Sequence, residues 1–393
     1  MSANGRESMT PRVQTPRTFE EAAGLLAAAA GEGLTVRARG GGTKLEWGRP
    51  VAGPDVELRM GALDQIVEHN AGDLTAILEA GTPLARAQEQ FAQAGQMLAV
   101  DPPLSSARDT DDGTATIGGV IATGDSGPLR HRYGAPRDLI LGMTVALADG
   151  TLASSGGKVI KNVAGYDIGK LFAGSFGTLG MILSVSVRLH PLPTSSHTAL
   201  GATSEPSVGA AAARALAASG LELDALDIAW RSGRGGLLAR CTGAQSRARA
   251  ERAAKLMRQA GLEHIDIADD DVGLWARQRA GQRSSSAALV RVAARPSELP
   301  QVLEAAGHCD GTLVGRVALG CSYIELAPEA IAMLRAELPA GAHAVILDAP
   351  ERARTTNDVW GAPETPGLAL MRRLKERFDP AGTCNPGIFV GGI

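Results

Sequence analysis

The sequence predicts an α+β protein: a glycine-rich first domain built from two α+β halves, followed by a smaller antiparallel cap. Three observations carry this. Glycine supplies 49 of 393 residues, against roughly 7% in ordinary chains, and its dense clusters lie between residues 40 and 180. Short strands and helices alternate there around long glycine-rich connections. After residue 194 the pattern becomes strand, helix, strand, strand, helix, strand, which suits a ferredoxin-like split βαβ layer.

The elements follow in order. Residues 1–15 read as disordered. Thr18-Phe-Glu-Glu21 forms a capping box that opens a helix through Ala30. Leu34–Ala38 reads as a strand and leads into Arg39-Gly-Gly-Gly-Thr-Lys44. Strands follow at Val56–Leu58, Gln65–Glu68 and Thr75–Glu79. Pro83 starts a helix to about Ala94, with Gly95 beyond its end. Asp101–Gly134 lacks periodicity and reads as one long functional loop. Leu139–Leu147 is a strand, and Asp149-Gly150 turns it into Thr151–Ser154. A second glycine-rich region, 156–180, holds a short helix near Ile168–Phe172, and Met181–Leu189 alternates as a strand. Pro191–His197 is a linker by composition. The clearer βαββαβ set is Ala287–Val292, Ser297–Ala306, Thr312–Val317, Tyr323–Leu326, Pro328–Glu337 and Ala344–Leu347; residues 198–260 approximate the same order, a doubling of pattern only.

Composition excludes several classes. The net charge of −3 comes from interspersed charges, which argues against a nucleic-acid or anionic-membrane partner. No apolar run reaches membrane-spanning length, and the polar N-terminus has no signal-peptide core. Cys241, Cys309, Cys321 and Cys384 are widely spaced, so reduced thiols and a cytoplasmic setting are expected, with no metal site and no iron–sulfur cluster in this chain.

Consecutive N–H groups in a glycine turn form a positive nest for a pyrophosphate. Loops at 40–44 and 118–127 could clamp a dinucleotide from two sides. Gly174-Ser-Phe-Gly177-Thr-Leu-Gly180 precedes a strand late in the domain and does not open a helix after the first strand. It is therefore not a Rossmann fingerprint.

Several motifs stand in a fixed order: Arg39-Gly-Gly-Gly-Thr-Lys-Leu45, Asp73-Leu-Thr75, Glu79-Ala-Gly81, Asp101-Pro-Pro103 and Ile117-Gly-Gly119. They continue with Gly127-Pro-Leu-Arg-His-Arg-Tyr-Gly134, Lys161-Asn-Val-Ala-Gly-Tyr-Asp167, Leu171-Phe-Ala-Gly-Ser-Phe-Gly-Thr-Leu-Gly180 and Asn385-Pro-Gly387. This set resembles the FAD-binding domain of the vanillyl-alcohol oxidase type of flavoprotein. Within that type it is most similar to the small FAD-binding subunits of bacterial glycolate oxidases.

The resemblance implies a two-part FAD-binding domain over 16–193, a cap over 194–355, and a segment over 356–393 that returns to the FAD domain. It implies that Arg39, Gly40, Gly41, Gly42, Thr43 and Lys44 cradle the pyrophosphate, with Ile117, Gly118 and Gly119 as the second wall. Gly124, Ser126 and Gly127 would approach the isoalloxazine, Lys158, Lys161 and Asn162 would lie near the flavin, and Pro103, Thr123, Tyr133 and Gly134 would also bind the cofactor. Gly177, Thr178, Gly180 and Ile182 would pass the adenine end. Thr43 stands where covalent members carry His, and no Cys occurs in residues 1–195, so FAD is expected to bind non-covalently.

The resemblance further implies a role in oxidising a small 2-hydroxy acid, glycolate to glyoxylate, beside a larger flavoprotein catalytic subunit and an iron–sulfur subunit that could tie it peripherally to a membrane. Phe176 replaces the acidic residue of the full-length dehydrogenases, and their His-rich cap motif is absent. Two other readings stand beside this one: a self-contained FAD-dependent hydroxy-acid or alcohol oxidoreductase, and a flavin-free scaffold.

Arg130, His131 and Tyr133 are the catalytic candidates. Arg130 could stabilise a carboxylate or reduced flavin, or make surface ion pairs, and His131 could be a base. Tyr166-Asp167 reads as a turn, Cys384 as a buried hydrophobe, and Asp269-Asp-Asp271 as a helix N-terminus. Trp230, Trp275 and Trp360 read as cap core or interface.

Overall fold

The computed structural model describes residues 10–105, 114–158, 167–361 and 366–393. The chain starts with a small parallel sheet of β1 (Arg12–Gln14), β2 (Val36–Arg39) and β3 (Val56–Arg59), ordered β1-β3-β2. Strand β1 corrects the expectation of disorder up to residue 15, because Arg12–Gln14 pair in register with Val56–Leu58. Helix α1 (Phe19–Gly31) starts where Thr18 Oγ1 accepts the Glu21 N–H at 3.1 Å. Its Ala22, Ala23, Leu26 and Ala29 fall on one helical face and pack on this sheet.

The second half contains β4 (Ile66–Asn70), β5 (Thr75–Glu79), β6 (Gln96–Met97), β7 (Ile140–Ala146), β8 (Leu152–Gly156) and β9 (Met181–Arg188). Five of these form an antiparallel sheet in the order β4-β5-β9-β7-β8. Strand β10 (His190–Pro191) pairs with β6, so the start of the expected linker is tied down. Helix α2 (Leu84–Gln93) follows Pro83 as expected. The stretch 101–134 is not one loop. It holds α3 (Ile117–Thr123) and a single turn, α4 (Arg130–Tyr133); the short α5 (Pro136–Leu139) and α6 (Gly169–Phe172) follow. Glycines at 118 and 119 masked α3 from propensity reasoning. The helix survives because Ile117, Val120 and Ile121 bury in the core and Thr116 Oγ1 accepts the Gly119 N–H.

The cap is one eight-stranded sheet. Its strands are β11 (Ser196–Thr203), β12 (Ala225–Arg231), β13 (Arg234–Thr242), β14 (Glu263–Ala268), β15 (Ala288–Ala293), β16 (Thr312–Arg316), β17 (Cys321–Leu326) and β18 (His343–Asp348). The order β14-β11-β13-β12-β16-β17-β15-β18 splits into two ferredoxin-like halves. Each half places its strands fourth, first, third, second, and the halves meet antiparallel at their second strands, β12 and β16. Helices α7 (Pro206–Ala217), α8 (Ser246–Gln259), α10 (Leu299–His308) and α11 (Ile331–Glu337) cover one face, with α9 (Val272–Ala280) between the halves. Strand alternation sends Leu226, Ile228, Trp230 and Leu313 to the helical face. Asp227 and Arg316 therefore point the other way, toward the first domain.

After α12 (Glu351–Thr356) and α13 (Pro366–Phe378), the tail runs back along β2: Val36 bridges Cys384 in parallel, and Asn385 donates to the Phe176 carbonyl at 2.8 Å. Lys375 fastens it, donating to the carbonyls of Thr178 at 2.8 Å and Cys384 at 2.9 Å and pairing with buried Asp379 at 2.5 Å. Lys375→Met leaves that carboxylate without its cation, so chemical denaturation should show a loss of about 3 kcal/mol. Among the described residues no helix is long and apolar enough to cross a membrane.

Candidate functional site

A cleft open to solvent at its mouth lies between the parallel sheet and the antiparallel sheet. Its walls are the Gly40–Lys44 turn after β2, the N-terminal turns of α3, and the Phe176–Ile182 turn before and into β9. The two glycine segments touch. A Cβ on Gly41 would overlap the Thr114 backbone carbonyl, and one on Gly118 would stand 2.7 Å from the Ala80 Cβ. Gly42 and Gly177 hold φ of +76° and +72°, which favours glycine. A Cβ on Gly177 would meet nothing within 4 Å and would project into open space on this wall. The cleft is mostly apolar, with Met60, Ala80, Val120, Met181 and Ile388 among its lining. This glycine cradle and long apolar trough fit an extended dinucleotide carrying a flat ring.

Of the residues expected at the cofactor, Gly40, Gly41, Gly42, Thr43, Lys44, Gly118, Gly119, Thr123, Gly177, Gly180 and Ile182 line the cleft. Lys161 and Asn162 lie outside the described residues. Arg39 instead pairs with Glu57 at 3.3 Å. Ile117 turns into the core, Thr178 donates to the Ser175 carbonyl, and Gly124 caps α3 at φ +64°. Gly127 packs on the Asp101 backbone and Gly134 on Asp138, while Pro103 is buried short of the cleft. Sequence reasoning missed Phe176, Asn385 and Ile388, which line the cleft from the GxxGxxG turn and the tail. Phe176 takes φ +57° and packs edge-on against Trp360 at 5.2 Å. Motif matching treats it only as a missing acid, so its packing role carried no signal.

Arg130, His131 and Tyr133 are not among the residues lining the cleft. Helix α4 faces the cap: Arg132 donates to the Glu222 carbonyl at 2.7 Å, and Tyr133 Oη lies 3.5 Å from Asp224. Burial lowers the pKa of His131, so its neutral form dominates near pH 7. Asp271 precedes α9, but its carboxylate accepts from Ser196 at 2.5 Å and Thr198 at 2.8 Å instead of capping the helix. Cys384 is buried, and burial pushes its thiol up to about 12.

Charge concentrates where the cap meets the cleft. Lys44 is buried, with Nζ 3.2 Å from Asp125, and burial lowers its pKa while Asp125 holds it up. Arg283 donates twice to the Thr43 carbonyl at 3.0 Å and pairs with Asp348 at 2.9 Å. Asp348 also accepts from Trp47 Nε1 at 2.9 Å. Arg316 reaches across to the Ser126 carbonyl at 2.5 Å. Burial raises Asp101 to about 6 and Asp227 to about 7, against the pull of Arg316 on both. Among the described residues no group of three or more His, Cys, Asp or Glu is placed to hold a metal.

These two acids set a pH dependence. An unfolded Asp titrates near 3.9, so between about pH 4 and pH 7 the folded chain keeps protons that the unfolded chain has released. Their contribution to stability is greatest below that window and falls as pH rises through it. The urea midpoint of the wild type relative to Asp227→Asn should therefore be higher at pH 5 than at pH 8.

Residues 11–156 match the family described as FAD binding domain, and residues 363–388 match the C-terminal domain of FAD linked oxidases. The chain is 36% identical to glycolate oxidase subunit GlcE of Escherichia coli over 40% of this chain and 43% of that protein. It thus spans less than half the length of that relative. It is 27% identical to an uncharacterized FAD-linked oxidoreductase of Mycobacterium tuberculosis over 96% of this chain and 90% of that one. The fold superposes on alkyldihydroxyacetonephosphate synthase with a TM-score of 0.68 at 16% identity, covering 95% of this chain and 76% of that structure. This establishes the vanillyl-alcohol oxidase type of fold. With both matched domains present in order around a glycine-walled cleft, the chain carries an FAD binding domain and the C-terminal domain of FAD linked oxidases, and its cofactor is FAD.

Proposed function

We propose that the chain is the FAD-binding subunit of an assembly that oxidises a small 2-hydroxy acid, glycolate in the first instance. The observation that carries this is the cleft itself: two glycine segments packed on each other, with Asn385 and Ile388 of the tail in its wall. When bound, FAD accepts hydride and releases electrons in one- or two-electron steps. The chain's residues hold and shield it. Gly40–Gly42 and Gly118–Gly119 allow close backbone approach, Phe176 and Ile388 exclude water, and buried Lys44 places a cation in the wall. Thr43 offers no nucleophile for a flavin bond, which supports non-covalent attachment. The similarity to a glycolate oxidase subunit supports a multi-subunit assembly, in which the partners proposed are a larger flavoprotein and an iron–sulfur protein.

The test is the visible spectrum of the purified chain, repeated on the supernatant after acid precipitation. Flavin released to the supernatant is expected. Flavin retained in the pellet would overturn the non-covalent reading, and a colourless chain that rejects added FAD would favour the scaffold. Turnover of glycolate by the isolated chain with a dye acceptor would replace the subunit reading with a self-contained enzyme.

A further inference from the structure

The tail after α13 is built into the cofactor cleft and is held there mainly by hydrogen bonds. Val36 of β2 donates to the Thr383 carbonyl and accepts from the Asn385 N–H, both at 2.8 Å. The Asn385 side chain reaches the other way, to the Phe176 carbonyl at 2.8 Å. One residue therefore joins β2, whose Arg37 and Ala38 line the cleft, to the Phe176–Ile182 turn in another wall. Farther on, the Ile388 carbonyl accepts from the Arg49 N–H at 2.8 Å and from Trp360 Nε1 at 3.0 Å. Ile388 itself also lines the cleft. The tail thus crosses from wall to wall.

This anchorage can release without unfolding either domain. Beyond Pro380 the buried apolar residues are Cys384, Ile388 and Ile393, so undocking exposes far less than a domain core. A segment with few buried apolar contacts opens locally at a fraction of the global free energy. It also has a place to turn. Pro380 and Ala381 are exposed, and Gly382 takes φ +66° with nothing within 4 Å of its Cβ position. Just before that turn, Lys375 keeps Asp379 pinned. The glycine walls are different, because there backbone packs on backbone.

We propose that residues 383–393 form a strap that lifts off the cleft to admit FAD and closes behind it, so that tail docking sets the rate of cofactor exchange. A ligand that touches Asn385 and Ile388 stabilises the docked tail, and by linkage the docked tail strengthens the hold on the ligand by the same factor. Of the cleft's walls, the tail is the one that yields. The proposal goes beyond the hydroxy-acid reading above. It requires that FAD occupy the cleft, whatever substrate the chain serves.

The native Cys384 supplies the test. It is the parallel bridge partner of Val36, and both side chains are buried in one cluster. Val36→Cys therefore sets two thiols on neighbouring segments, within reach of a disulfide that mass spectrometry identifies. With the bond formed, FAD uptake by the flavin-free chain and FAD release from the loaded chain are followed by flavin fluorescence. Both should slow at least about tenfold relative to the same protein after reduction with a phosphine. Equilibrium affinity should not weaken, because the bond holds the docked form. Equal rates in the two states, or faster release from the oxidised chain, would overturn the proposal. Hydrogen exchange on the wild type tests it without a substitution. Peptides from 383–393 should exchange faster in the flavin-free chain than in the loaded one, while peptides from β12 in the cap hold steady. Tail peptides equally protected in both forms would show that the strap does not open, and the proposal would fall.

Discussion

Gly41→Ala should strip the chain of its flavin. The added methyl would occupy the position of the Thr114 carbonyl, which is backbone and cannot rotate aside. Thr114 leads through Thr116, the N-cap of α3, so the 40–44 turn must lift away from the second glycine wall. Inserting a methyl into such packing costs about 1–3 kcal/mol. The free chain can relieve that strain by letting the turn move, but the flavin-bound chain needs both walls in place. The cost therefore falls on affinity, and FAD should bind roughly 10–100-fold more weakly. Gly118→Ala should act in the same direction, because its methyl meets Ala80 across the wall. Gly24→Ala in α1 is the control. Its methyl meets nothing within 4 Å, so affinity should hold and helix propensity should add about 0.5–1 kcal/mol of stability. Fluorescence titration of the stripped protein with FAD reads all three. Unchanged affinity in Gly41→Ala would show that the two walls do not act as one clamp.

Arg283→Ala should uncouple the cap from the cofactor loop. One guanidinium joins the Thr43 carbonyl of the first domain to Asp348 at the end of β18, and it lies 5.5 Å from the Trp47 ring. Both charged partners are nearly buried, with side chains 10% and 5% exposed. Deleting one partner of such a pair leaves a buried charge uncompensated, at about 3–5 kcal/mol. Asp348 keeps the Trp47 and Ser284 donors, so the loss should sit at the low end of that range. Two readouts separate the local from the global effect. Denaturation should show the lost stability, and limited proteolysis should cut between the first domain and the cap sooner than in the wild type. Arg283→Lys should recover little, because an ammonium cannot fork between a carbonyl and a carboxylate. A variant as stable as the wild type would place the domain contact elsewhere, with Arg316 and Ser126 next in line.

Much of the fold was legible in short-range chemistry. Thr18 capped its helix, Pro83 started α2, and the alternation in 181–189 formed β9. The second cap half kept its βαββαβ order, and the first half proved to share it. Helix α3 was hidden because glycine opposes helix on propensity, and only the surrounding core reverses that preference. Strand β1 was hidden because three residues carry no period, and their partner lies more than forty residues away.

The glycine positions of the cleft were determined by the sequence alone, because a turn with positive φ or a backbone-to-backbone contact admits almost no other residue. That chemistry is local, and it survives being read one residue at a time. The charged seam was decided only by the tertiary structure. Lys44 meets Asp125, Arg283 meets Thr43, and Arg316 meets Ser126 across separations of 81, 240 and 190 residues. Arg132 and Tyr133 were drawn to the cap by the same long-range geometry, although their neighbours in sequence pointed to the flavin. An Arg or Asp in a strand has the same local propensity whether it faces solvent or a buried partner. Its role exists only once the sheet has fixed its face, and the docking of two domains has removed the water around it.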